Sequence, residues 1–168
     1  MHRYKILLVD DSESVLSALK RLFVSEGYEV ILAPSAKEAI KLLSQHKVDV
    51  MITDQNMPGT SGTELLETTL HLFKDVVRIM LTGETDIDVA KKAINDGEIY
   101  RFFVKPWDDF ELTVAVRNAL KQKELEKENQ QLKATVQNQN QLLQQLEKEF
   151  PGISDKSPSK DGIWVIDD

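Results

Sequence analysis

The chain has 168 residues, of which 41% are hydrophobic, so it can bury one core of ordinary domain size with a remainder to be accounted for. It contains no cysteine, which excludes a disulfide framework and a thiolate metal site and fits a reducing cytosol. The formal charge of −7 and the scattered basic residues exclude a concentrated surface for nucleic acid; the lack of any apolar run near 18 residues leaves a cytoplasmic protein with no membrane span as the expectation.

From residue 4 to about residue 120 the pattern alternates. Short apolar runs rich in branched side chains predict five strands: YKILLV (4–9), YEVILA (28–33), VDVMIT (48–53), VVRIML (76–81) and YRFFV (100–104). Several lack polar alternation, as expected of strands covered on both faces. Between them, Val15, Leu19, Leu22 and Phe23 share one helical face, as do Ala36, Ala39, Ile40 and Leu43. Ser35 with Glu38, Ser61 with Glu64, and Asp108 with Glu111 mark helix starts, each a cap residue followed three positions later by Glu. Asn95-Asp96-Gly97 reads as a helix stop with Gly97 in the left-handed conformation. Five β-α units in series predict an α/β domain with a parallel sheet and helices on both faces.

In such sheets ligands bind at the carboxyl ends of the strands. The residues there are Asp10 and Asp11 after the first strand, Asp54 after the third, Thr82 after the fourth and Lys105 after the fifth. Three carboxylates gathered on one rim repel each other by about 4 kcal/mol for each pair ~4 Å apart at an effective dielectric of 20. A divalent cation relieves this, and because every candidate ligand is oxygen the expected metal is Mg²⁺. Magnesium held by carboxylates suggests phosphate chemistry. Asp54 then serves as a nucleophile toward a phosphoryl group, Lys105 and Mg²⁺ neutralise its oxygens, Thr82 donates a hydrogen bond, and Asp10 and Asp11 hold the metal. Taken singly, each of these residues has a plainer reading: a helix N-terminal charge for the Asp pair, a turn residue for Thr82, a solvated charge for Lys105.

The segments LLVDDSESV, VMITDQNMPGTSG, IMLTGE and FFVKPW, in this order and spacing, resemble the receiver domain of two-component response regulators over about residues 4–122. The resemblance implies a flavodoxin-like (βα)5 fold with a doubly wound five-stranded parallel sheet. It also implies that Asp54 is phosphorylated by a histidine kinase, a phosphotransfer protein or a small phosphodonor. Asp11 would bind Mg²⁺ directly, Asp10 through water, and the backbone carbonyl of Asn56 would complete the site. Lys105 would contact the phosphoryl group, and the Lys105-Pro106 bond is usually cis in receivers. Asn56 and Glu84, two residues past Asp54 and Thr82, would tune dephosphorylation. Where many receivers carry a switch tyrosine, three residues before the lysine, this chain has Phe102, which is expected to pack inward or outward as Thr82 moves; Tyr100 is the weaker alternative. AINDGEIYRFFVKPWDD resembles receivers attached to HD-GYP phosphodiesterases or PP2C-type phosphatases, and Trp107 within it reads as an anchor for the last helix. Haloacid-dehalogenase-type phosphatases use similar residue types, but their nucleophile precedes the acidic metal ligands, whereas Asp10 and Asp11 come first here.

From Asp108 helix formers run without Gly or Pro to Pro151, too long for the terminal helix of one domain. Leu125, Leu132, Gln139 and Leu146 occupy one heptad position, and Asn129, Val136, Leu143 and Phe150 its partner, the 4-3 spacing of a coiled-coil core. Asn129 would fix register and favour two strands, and Glu128 and Lys133 are placed to pair across a parallel homodimer. The resulting division is a receiver at 1–122, a dimerisation helix at 123–150 continuous with the last receiver helix, and a linker with a short strand-like tail at 151–168, in which Ile163 to Ile166 form the strand candidate. His2, His46 and His71 have no spaced partner ligands and are assigned no chemistry. No signature of a catalytic output is present, so the expectation is a switch without substrate turnover that acts on a downstream signalling protein. The alternative is a truncated regulator whose missing output domain is a cyclic-dinucleotide phosphodiesterase or a protein phosphatase.

Overall fold

The structure, a computed structural model, describes residues 3–153. Strands β1 (Lys5–Val9), β2 (Glu29–Ala33), β3 (Val50–Asp54), β4 (Val77–Thr82) and β5 (Arg101–Val104) form one parallel sheet in the order β2-β1-β3-β4-β5. They alternate with helices α1 (Glu13–Ser25), α2 (Ala36–Gln45), α3 (Gly62–Leu72), α4 (Ile87–Asn95) and α5 (Asp109–Glu149). This is the doubly wound, flavodoxin-like arrangement expected from the sequence.

The strands are apolar throughout because neighbouring residues serve two different cores. Successive side chains point to opposite faces of a strand. In β1, Ile6 and Leu8 join Leu16, Leu19 and Phe23 of α1 and Leu112 and Val116 of α5. Leu7 and Val9 instead join Leu43 of α2, Leu65 and Leu66 of α3, and Ala90 and Ala93 of α4. Each fully buried Leu, Ile or Phe contributes roughly 1.5–3 kcal/mol. The α1 face includes Leu16 as a buried residue, with Val15 and Leu22 packed at its margin.

The helix starts follow the cap chemistry read from the sequence. Ser35 Oγ accepts from the Glu38 N–H at 3.2 Å, Ser61 and Glu64 make a reciprocal capping box, and Asp108 Oδ1 accepts from the Glu111 N–H at 2.9 Å. Gly97 follows α4 with φ +73°, the left-handed conformation that ends a helix at little cost for glycine. Trp107 packs partly buried against the α1–α5 core while its Nε1 donates to Asp109 Oδ1 at 2.9 Å, consistent with an anchor for α5.

The strands begin later than predicted. Val48 and Asp49 precede β3 rather than opening it, since Asp49 Oδ2 accepts from the Lys5 N–H and the Asp49 N–H donates to the Lys5 carbonyl, both at 2.9 Å. At the other end the strand is one residue longer, so Asp54 is itself in the ladder, in register with Leu81.

The chain separates into two compact units, Met1–Gln122 and Lys123–Asp168. In the first, α5 buries Leu112, Ala115, Val116, Ala119 and Leu120. In the second, Leu125, Leu132, Val136, Leu142 and Leu143 are between 54% and 63% exposed. Phe150 lies one residue past the helix, its N–H donating to the Leu146 carbonyl at 2.7 Å. The strand suggested for Ile163 to Ile166, most of the 151–168 tail and His2 lie outside the described residues. Among the described residues, no helix is long and apolar enough to cross a membrane.

Candidate functional site

The carboxyl ends of β1, β3, β4 and β5 bring the predicted rim residues together. Asp10 follows β1 and is buried; Asp11 beside it is exposed; Asp54 ends β3 and is 7% exposed. One carboxylate oxygen from each of the three lies within 4.8 Å of the others. Lys105, just after β5, places Nζ 3.1 Å from both Asp10 Oδ2 and Asp54 Oδ1. Its own N–H is held by the Thr82 carbonyl at 2.8 Å, which fixes the reach of its side chain relative to β4. The second oxygen of Asp10 accepts from the Ser12 N–H at 2.8 Å. Asp10 is thus oriented on both sides, while Asp11 faces solvent.

Charge is not balanced here, since two of the three carboxylates, Asp10 and Asp54, share the Lys105 ammonium and Asp11 adds a third negative charge. Burial in the first place, and then the negative charge of Asp10, push the Asp54 carboxyl above its ordinary range, against the hydrogen bond and charge of Lys105 and the backbone N–H of Asn56. For Lys105, burial alone would lower the pKa. Hydrogen bonds and charge from Asp54 and Asp10 outweigh it, and the ammonium is held above its ordinary value. The asymmetry is physical: the lysine gains two carboxylates, whereas each carboxylate gains half a lysine. A residual negative, all-oxygen cluster of this kind fits a hard divalent cation such as Mg²⁺.

Thr82 ends β4 fully buried, and its hydroxyl donates to the adjacent Gly83 carbonyl at a long 3.3 Å, a weak tie. Phe102 lies on β5 in register with Met80 and packs half-buried against the core formed with α2, α3 and α4. Tyr100, the weaker alternative for the switch, is exposed and precedes β5. Glu84 is exposed at the start of a short 3₁₀ turn, Glu84–Asp86. The Asn56 side chain does not face open solvent alone: Nδ2 donates to Asp86 Oδ2 at 2.6 Å. The Lys105-Pro106 peptide is cis, as the resemblance implies.

Two features of the rim are absent from the sequence reading. A Cβ on Gly62 would stand 2.3 Å from the Asp54 carbonyl oxygen and 2.9 Å from Gln55 Cα, so α3 begins against the backbone at the end of β3. Nearby, Gln55 Oε1 accepts from both the N–H and the hydroxyl of Thr63, at 3.1 and 2.8 Å. No turn requires glycine at position 62, where the demand comes through space. A glycine directly after a cap serine, inside a predicted helix, is the one sequence signal that could have exposed it.

Residues 6–117 match the response regulator receiver domain family. The chain is 32% identical over 140 residues to the hydrogenase transcriptional regulatory protein HoxA of Cupriavidus necator, covering 83% of this chain and 29% of that protein. It therefore spans less than a third of the length of that curated relative, and 26% and 28% of two others. It is 28% identical to sporulation initiation phosphotransferase F of Bacillus subtilis over 120 residues, 71% of this chain and 96% of that one. Among solved structures, the signal receiver domain of an HD domain-containing protein from Pseudomonas fluorescens Pf-5 aligns with a TM-score of 0.69 and 40% identity, over 73% of this chain and 98% of that one.

Proposed function

The chain belongs to the response regulator receiver family, whose domains act as phosphorylation-controlled signalling switches, and from that premise we propose that Asp54 is its phosphoryl acceptor. The observation that carries this is the position of Lys105 Nζ, 3.1 Å from both Asp54 and Asp10 at the end of the sheet. An Asp54 carboxylate oxygen attacks phosphorus, the bond from phosphorus to the donor's nitrogen or oxygen breaks, and the leaving group takes the electron pair and a proton. The product is an acyl phosphate on Asp54. Lys105 neutralises charge on the transferred group, and Thr82 turns from its weak bond with Gly83 to donate to one of its oxygens. Asp10, Asp11, Asp54 and the Asn56 carbonyl would hold Mg²⁺, which when bound supplies further neutralisation of the phosphoryl oxygens.

The donor is a cognate histidine kinase or phosphotransfer protein, the interactions typical of the family. The movement of Thr82 opens space beside β5, and Phe102 follows it inward, altering the surface offered to a downstream signalling protein. Acetyl phosphate with Mg²⁺ is expected to label the chain at one site, and Asp54→Ala to abolish labelling. Stoichiometric labelling of the Ala variant overturns the assignment.

In the same reading residues 1–122 are the receiver, and 123–150 form one strand of a parallel two-stranded coiled coil. The support is the exposed stripe of Leu125, Leu132, Val136 and Leu143, continued at heptad spacing by Leu146 and interrupted by the polar layers Asn129 and Gln139. A helix bearing such a stripe gains by burying it against a copy of itself. Sedimentation is expected to give twice the chain mass, and a monomer at tens of micromolar overturns the dimer. A second reading, in which the receiver controls an enzymatic output domain, has its own support in the HD domain-containing structural relative. Hydrolysis of a cyclic dinucleotide or a phosphoprotein by the native full-length product would establish it.

A further inference from the structure

The loops after β3 and β4 are joined above the rim by one side-chain contact. Asn56 Nδ2 donates to Asp86 Oδ2 at 2.6 Å, across thirty positions of sequence. The same oxygen accepts from the Thr85 hydroxyl at 3.2 Å, and the Asp86 N–H is held by the Gly83 carbonyl at 3.1 Å. Asp86 stands at the N-cap of α4, where an aspartate ordinarily accepts from the first turn of its own helix. Here it makes no such bond. Its carboxylate is committed across the site instead.

We propose that Asp86 is a positioning residue for loss of the phosphoryl group, acting through Asn56; this rests on the reading of Asp54 as acceptor. The chemistry requires water to attack phosphorus from the side opposite Asp54. The water oxygen–phosphorus bond forms, the bond from phosphorus to the Asp54 oxygen breaks and returns the carboxylate, and the water's proton leaves with inorganic phosphate. Asn56 lies two residues past Asp54, and its amide has one face that donates and one that accepts. With Nδ2 bound to the Asp86 carboxylate, the amide is held in one of its two orientations, and Oδ1 is held with it. A fixed acceptor oxygen orients the attacking water. A freely rotating amide presents its N–H groups part of the time, and these do not accept the water's hydrogen.

The test is a comparison of phosphoryl lifetimes after labelling with acetyl phosphate and Mg²⁺ and removal of the donor. Asp86→Ala is expected to slow loss of the label about 5-fold, the rate equivalent of one lost hydrogen bond. Asp86→Asn keeps an acceptor oxygen for Asn56 and is expected to return the rate toward wild type. In an Asn56→Ala background, Asp86→Ala is expected to have no further effect. An unchanged lifetime in Asp86→Ala, a failure of Asp86→Asn to restore it, or equal effects of Asp86→Ala with and without Asn56 each overturn the proposal. A wild-type chain that takes no label at all overturns the acceptor assignment instead.

Discussion

Neutralising Asp54, the proposed acceptor, is expected to make the protein more stable, and Asp54→Asn tests this at nearly constant size. At an effective dielectric of about 20, charges 4.8 Å apart, the outer limit of the carboxylate cluster, repel by roughly 3.5 kcal/mol, and charges 3.1 Å apart attract by roughly 5 kcal/mol. The attraction of Asp54 to Lys105 is therefore largely offset by repulsion from Asp10 and from the exposed, screened Asp11. What remains is the cost of stripping water from a carboxylate that is 7% exposed. The sign agrees with the shift of the group. Because the folded pKa of Asp54 is raised above the unfolded value, the folded state holds the proton more tightly. The associated stability is fully present below about pH 3.8, the ordinary value, and is lost as pH rises through the folded pKa. At pH 7 the ionised side chain is a net cost, which Asn removes. A gain of about 1–2 kcal/mol, or roughly 2–8 °C in Tm, is expected by calorimetry in EDTA. Added Mg²⁺ should stabilise the wild type more than the variant and narrow the gap. A variant that melts below the wild type in EDTA at pH 7 would refute the charge accounting.

Gly62→Ala forces a Cβ into the Asp54 carbonyl, with 2.3 Å available. It is expected to cost about 1–3 kcal/mol by displacing the β3 end or the start of α3, and to slow labelling of Asp54, as read by thermal melting and acetyl phosphate labelling. A wild-type melting temperature would show that the approach is not rigid. Leu132→Glu places a charge at a heptad core position and is expected to convert the dimer to a monomer in sedimentation while leaving Asp54 labelling intact. An unchanged dimer mass would move the interface elsewhere.

What the sequence shows of the site is what depends on strand ends. Asp10, Asp54, Thr82 and Lys105 are legible because each stands at the end of an apolar run, and a parallel sheet puts all such ends on one edge. The register then does the rest: Thr82 pairs with Val104, so the next residue, Lys105, emerges beside the acid cluster. Arg78 shows the limit. A guanidinium inside the predicted run VVRIML has no visible partner in sequence, yet in the fold it donates to the carbonyls of Glu98 at 2.8 Å and Phe73 at 3.3 Å. Its partners are backbone oxygens of two loops, which carry no residue-type signal. Asp86 was hidden differently. No role is read for it in sequence; an aspartate at a helix start has a sufficient local use as a cap, and only the loop geometry shows that Asp86 forgoes that use for Asn56. Gly62 and Gln55 belong to the same class: their demands arise from how closely α3 approaches β3.

The output step is constrained even where its partner is open. One helix, α5, supplies buried residues to the receiver core through Leu112, Val116 and Leu120, and exposed apolar residues to the proposed dimer through Leu125, Leu132 and Val136. If occupancy of the acceptor site shifts the dimer equilibrium by some factor, dimerisation must shift the affinity of that site for a phosphoryl mimic by the same factor. A stalk that held both states equally well would transmit nothing, however tightly it dimerised. The polar layers at Asn129 and Gln139 bear on this point. They lower the stability of a coiled coil while fixing its register, so in the proposed dimer they bring the association nearer the range in which a coupling of about 1–3 kcal/mol changes its population. In the proposed dimer, the interruption of the stripe would thus suit this helix to reporting on Asp54 rather than merely joining two chains.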